Sequence, residues 1–168
     1  MADRKLKPVP ITPERFAPFG DIVAALPERR AAMNEARFER FDDLAGVDVD
    51  LAGDGHVAIS IARSRAATVL PYRFDMVERH PLGSQAFIPR RPFPFVVVVG
   101  PRGESIEAAD LQAFVTNGTE GINYHRGTWH MPLISLAAGE EFLIVDRCGS
   151  SANCETLVLA DAIVLEAP

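Results

Sequence analysis

A chain of 168 residues is long enough for one domain with its own core, expected to span 1–168, and its 48% hydrophobic and 24% charged residues are ordinary for a globular protein. A net charge of −6 with no basic run argues against nucleic-acid binding by phosphate neutralisation. The start, MADRKLKPVPITPERF, lacks the apolar stretch of a signal peptide, and the longest apolar run, FVVVV at 95–99, falls far short of the roughly 20 residues that span a bilayer. A cytoplasmic protein without a membrane partner is expected.

The first element in chain order is a short helix in ITPERFAPFG. Thr12 can cap it, Pro13 suits its first turn, Phe16 and Phe19 share a face, and Pro18 and Gly20 stop it. HVAISIARS then alternates Val57, Ile59 and Ile61 against small residues, as a strand does. YRFDMVERHP at 72–81 is a strand with two faces. Tyr72, Phe74, Met76, Glu78 and His80 share one; Arg73, Asp75, Val77 and Arg79 share the other. SQAFIP puts Gln85, Phe87 and Pro89 together, and PFVVVVG is a candidate strand buried on both faces. A second short helix is expected in ESIEAADLQ near 104–112. EEFLIVDR sets Phe142, Ile144 and Asp146 against Leu143, Val145 and Arg147, and ETLVLADAIVL adds strand material at the end.

Prolines and glycines punctuate the whole chain into short segments, the pattern of an all-β sandwich or barrel. A barrel wide enough for a ligand has partly polar inward positions. No glycine-rich loop follows a strand and opens a helix, so no nucleotide cofactor is expected. Cys148 and Cys154, in CGSSANC, match neither a redox nor a zinc spacing and read as free thiols.

Two stretches concentrate titratable chemistry. Glu78 and His80, at i and i+2, can point at one ion or one substrate, and Gln85 can join them. GINYHRGTWHMPL at 121–133 holds two of the four histidines. If His130 faces inward, Glu78, His80, Gln85 and His130 form a site whose donors suit zinc, nickel, manganese or iron. A solvated strand end, with Glu78 and His80 paired to arginine, is the competing reading. Only one of Tyr124 and His125 can face in along a regular strand, and Gly127 can reset parity before His130. Trp129 reads as a packing residue.

RHPLGSQAFIP, FVTNGTEGINYHRGTWHMPL and FLIVDR resemble the signature segments of the ureidoglycolate lyase family, and the resemblance covers most of the chain. It implies a mainly β fold: a cupin-like β-barrel of jelly-roll type with a few short helices. It also implies a homodimer, a divalent metal, nickel, and cleavage of (S)-ureidoglycolate to glyoxylate and urea. Against the wider cupin pattern, Glu78 takes the place of one histidine, His80 that of the next, and Gln85 roughly that of the glutamate. Gly127 and His130 are in register in the second segment, with His125 where proline is usual. Glu78, His80, His130 and Tyr124 are the implied catalytic residues, and Glu78, His80, Gln85 and His130 the implied metal ligands. Arg63, Arg126 or Arg147 would clamp the substrate carboxylate, while Gln85, Asn123 and Tyr124 would bind its ureido group. A non-catalytic cupin-like module for a small carboxylate, or a metal-dependent cupin enzyme of another class, are the alternatives.

Overall fold

In the computed structural model, which describes residues 3–168, the short apolar segments become fourteen strands. They are β1 (Arg4–Leu6), β2 (Val9–Pro10), β3 (Gly20–Val23), β4 (Arg30–Met33), β5 (Phe38–Phe41), β6 (His56–Arg63) and β7 (Tyr72–Arg79). They continue as β8 (Gln85–Pro89), β9 (Val96–Gly100), β10 (Gln112–Val115), β11 (Gly121–Tyr124), β12 (Trp129–His130), β13 (Glu141–Cys148) and β14 (Glu155–Leu165). A seven-stranded sheet runs β1-β14-β7-β12-β9-β10-β2 and a five-stranded sheet runs β3-β11-β8-β13-β6. β4 and β5 pair as a separate hairpin. No helix among the described residues is long and apolar enough to cross a membrane.

The unbroken valine run explains why β9 lies inside the larger sheet. Val97 and Val99 pack between the sheets with Phe16, Phe87, Phe114, Phe142 and Tyr124. Val96 and Val98 pack on the other side with Leu6, Ile106, Leu111 and Ile163. Both faces of the strand are therefore apolar, and both are buried. Gly100 ends the run because a side chain there would meet Ile106 Cδ1.

The first helix is one turn, α1 (Pro13–Phe16), with the Arg15 amide donating to Thr12 Oγ1 at 3.3 Å. Phe16 and Phe19 leave it to enter the core between the sheets. The second helix expected over 104–112 contracts to a 3₁₀ turn, Ala108–Asp110. Glu107 and Asp110 cap each other there, Leu111 is buried, and β10 takes the chain from Gln112 into pairing with β9. Sheet pairing outcompetes helix propensity in so short a segment. The apolar row Val57, Ile59 and Ile61 does not enter the core; β6 is an edge strand and the row stands exposed.

β12 matters most for position. It is two residues long and sits between β7 and β9, with His130 opposite Glu78 on one side and Val99 on the other. His130 thereby shares the inner face with Val99, whereas Trp129 packs in the cluster on the outer face.

Phe142 is fully buried and meets Phe87, Phe93 and Phe95 edge-on, at centroid distances of 6.1, 5.1 and 5.0 Å. Phe142→Ala should cost about 3–5 kcal/mol in chemical denaturation, the range for truncating a buried phenylalanine. A cost below about 1 kcal/mol would mean that the inter-sheet core does not depend on this contact.

Candidate active site

Neighbouring strands bring the polar groups of the two titratable segments together on one inner face. Glu78 near the end of β7 and His130 on β12 are direct cross-strand partners, so their side chains lie on one face. His80 follows two residues later, just past β7, and the Gly127 amide donates to its carbonyl at 3.0 Å. The rings of His80 and His130 are 5.2 Å apart. One ligand atom from each of Glu78, His80 and His130 lies within 4.8 Å of the others.

The hydrogen bonds decide which imidazole nitrogens are free. His130 Nδ1 is 2.9 Å from the Thr128 carbonyl, and His80 Nδ1 contacts the Asn153 carbonyl. A carbonyl only accepts, so each Nδ1 carries the proton and each neutral ring turns a lone pair outward on Nε2. Both Nε2 atoms are buried and have no hydrogen-bond partner. His130 Nε2 lies 3.5 Å from Glu78 Oε1, a contact without a good hydrogen bond. Backbone carbonyls that orient ligating histidines in this way are a regular feature of metal sites. Two converging imidazole lone pairs and a carboxylate suit a borderline divalent ion. Glu78, His80 and His130 can therefore hold a metal.

A donated hydrogen bond and positive charge on the His130 side hold the Glu78 carboxyl below its ordinary value against the opposing cost of burial, with His80 and the Cys154 thiol assisting; two bare Nε2 lone pairs do not supply that charge. Cys154 Sγ donates to Glu78 Oε2 at 3.6 Å. Burial lowers His80, the Asn153 carbonyl opposes that effect, and the charge of Asp146 also favours the protonated ring. Glu78 is thus a carboxylate and His80 a neutral base at neutral pH. Tyr124 stacks on His130 at 4.3 Å with 20° between the planes. Burial pushes its phenol far up, so it keeps its proton.

Gln85, on β8, lies beside Tyr124 in the opposing sheet and donates from Nε2 to Asp146 Oδ2 at 3.0 Å. The other sequence-derived candidates stand elsewhere. Asn123 is one residue out of phase with Tyr124; its amide donates to Asp21 Oδ2 and to the Gly46 carbonyl. His125 takes the same outer side, with Nε2 3.1 Å from Asp21 Oδ1, and lines an outer cleft of about 510 Å³ with Arg126, Arg102 and Asp48. Arg126 donates from Nε to the Pro81 carbonyl at 2.6 Å and also pairs with Asp48 and Asp50. Arg147 is buried under the 50–54 loop, where it donates to the carbonyls of Asp50, Ala52 and Ser151. Arg63 pairs with Glu141 at the opposite end of β13 from Asp146. Cys154, Asp146 and the two orienting carbonyls were not picked out as site groups. Asp146 alone had a signal in the sequence, its place on the face of Phe142 and Ile144.

A two-sheeted β-barrel with a carboxylate and two imidazoles gathered on its inner face is the arrangement of the cupin-like proteins. The comparisons narrow this class. The family model described as Ureidoglycolate lyase matches residues 3–166. A ureidoglycolate lyase of Pseudomonas syringae pv. syringae is 42% identical over 162 residues, covering 96% of this chain and 94% of that protein. One from Pseudomonas aeruginosa is 44% identical over 152 residues, covering 90% and 89%. The chain belongs to the ureidoglycolate lyase family.

Two predictions test the cluster. A divalent transition-metal ion titrated into metal-free protein should raise its thermal midpoint, the stabilisation reaching about 2.7 kcal/mol at a hundredfold excess over Kd. The His80→Ala/His130→Ala double variant should show no such rise; an equal rise in both proteins would place the ion elsewhere.

Protonation gives the second. Glu78 and His80 both bind protons less readily in the native state than in the unfolded chain. The native state is therefore disfavoured as pH falls, first below the ordinary histidine value of 6.5 and then below the ordinary glutamate value of 4.5. The midpoint of the metal-free protein should fall between about pH 7 and pH 5, and His80→Gln should flatten that fall. An unchanged slope in the variant would assign the titration to another group.

Proposed function

We propose that the chain cleaves (S)-ureidoglycolate to glyoxylate and urea, with Glu78, His80, His130, Tyr124 and Gln85 forming the site. The observation that carries the site assignment is the pair of buried, partnerless Nε2 atoms of His80 and His130 facing the Glu78 carboxylate. The substrate is a carbinolamide: one carbon bears a hydroxyl, a carboxylate and a ureido nitrogen. A base removes the hydroxyl proton, the carbonyl forms as the carbon–nitrogen bond breaks, and an acid protonates the departing nitrogen. No water is consumed, so the reaction is an elimination.

Glu78 is kept ionised at neutral pH, as a base must be. It takes the hydroxyl proton. Tyr124 keeps its proton and can hydrogen-bond the departing urea nitrogen, to which the proton taken up by Glu78 is passed on. Glu78, His80 and His130 would hold the divalent metal, nickel by the resemblance, and such an ion supplies positive charge for the substrate's carboxylate and hydroxyl. Arg63, Arg126 and Arg147 are engaged with protein oxygens in this structure, and a bound cation would supply the charge that the substrate carboxylate needs. Gln85 contacts the ureido end. The homodimer that the resemblance implies would cover Val57, Ile59 and Ile61, exposed in a row on β6. The protein would work in the cytoplasm.

Incubation with racemic ureidoglycolate, with chelator and with added nickel, should release glyoxylate and urea above the spontaneous rate. No release in any condition would favour a non-catalytic carboxylate-binding module or a cupin enzyme of another class. Glu78→Ala and His130→Ala should each lower kcat at least ~100-fold, the low end for acid–base groups, while keeping the fold. Unchanged kcat in both would move the chemistry to another part of the chain.

A further inference from the structure

Asp146 is a carboxylate on the inner face of β13 that the chemistry above does not use. It is half-buried, and among the described residues no lysine, arginine or histidine lies within ion-pair distance of it. Its one hydrogen bond is from Gln85 Nε2 to Oδ2, at 3.0 Å. A half-buried carboxylate without a cation is costly unless further donors reach it. It is also a neighbour of the site. Gln85 pairs in register with Tyr124, Tyr124 stacks on His130, and the charge of Asp146 acts on His80.

The Gln85–Asp146 bond fixes the glutamine amide. With Nε2 committed to the carboxylate, Oε1 is the atom left to accept. This side of the interior therefore offers the Asp146 carboxylate and the Gln85 carbonyl, both acceptors, close to one another. The matching ligand is neutral and rich in N–H groups. A ureido group fits: its inner N–H and one hydrogen of its terminal NH₂ point the same way, so two parallel donors can meet one carboxylate, as a guanidinium fork does. The same carboxylate repels an anionic group, so it sets the direction in which a substrate with one carboxylate can lie.

We propose that Asp146, held by Gln85, is the specificity-determining residue that accepts the N–H groups of the ureido half of the substrate and of the urea product. The substrate then lies across the interior with its carboxylate and hydroxyl toward Glu78, His80 and His130 and its ureido end toward β13. A site built to accept hydrogen bonds discriminates strongly against analogues that lack the donors. This assignment rests on the lyase activity proposed above and adds the residue that reads the leaving group.

Product inhibition of ureidoglycolate cleavage separates the two ends, with urea reporting one and glyoxylate the other. Asp146→Asn and Asp146→Ser should each weaken competition by urea and raise KM by about ten- to a hundredfold, the cost of lost hydrogen bonds to a charged acceptor. Inhibition by glyoxylate should stay within about twofold of wild type, since a surface or site feature left untouched changes little. Unchanged urea inhibition in both variants would overturn the proposal. So would equal weakening of both inhibitors, the signature of a merely structural role, or a wild type that urea does not inhibit. Failure of the lyase activity itself would show differently, as wild-type protein that releases no glyoxylate.

Discussion

Two buried imidazole nitrogens, each with a lone pair and neither with a partner, are the constraint around which the interior is arranged. Leaving such atoms unsatisfied costs free energy, and folded proteins tolerate it chiefly where another species completes the site. The backbone enforces the condition. The carbonyls of Thr128 and Asn153 take up the Nδ1 protons of His130 and His80, so neither ring can turn its N–H toward the other without losing a bond. Glu78 then faces two acceptor nitrogens as a carboxylate, an arrangement that only a proton or a cation relieves.

The sheets translate this local condition into an oriented set of groups. β12 is barely a strand, yet its insertion between β7 and β9 sets His130 against Glu78 and presses its ring flat on Tyr124 from the other sheet. The core of phenylalanines and valines around them holds both sheets in place, which keeps the polar groups from relaxing toward water. Across the interior, β8 and β13 present Gln85 and Asp146. With a cation held among Glu78, His80 and His130, one side of the barrel would be positive, whereas the other collects acceptors. A substrate that carries an anionic end and an N–H-rich end has one favourable direction in such a space.

Much of this was legible in the one-dimensional pattern. Period-two alternation put Asp146 with Phe142 and Ile144, but it misjudged β7: Phe74 and Val77, expected on opposite faces, are buried in one cluster, Tyr72 and Met76 are exposed, and the pairing with β14 is irregular beside them. The valine run announced a strand with two buried faces. Legibility failed where a single residue of phase mattered. Asn123 and Arg147 each sit one position away from an inward residue, Tyr124 and Asp146, and both point to the outer side, where loop carbonyls and Asp21 engage them. Arg126, in phase with Tyr124 by alternation, is turned outward because β11 ends at Tyr124 and the chain enters a turn. The helix expected near 104–112 failed differently, because pairing with β9 draws the chain into β10 after a single capped turn.

By itself, the sequence determined the β class, the two segments that carry the titratable groups, and the family, because alternation, turn residues and motif spacing are local properties of the chain. The tertiary structure alone decided which members of those segments meet. Whether His130 faces Glu78 depends on the register of β12 against β7, a contact between residues 52 positions apart that no local pattern encodes. The same holds for the free Nε2 atoms, since their character is set by carbonyls, one of them at Asn153, that only folding brings to the rings.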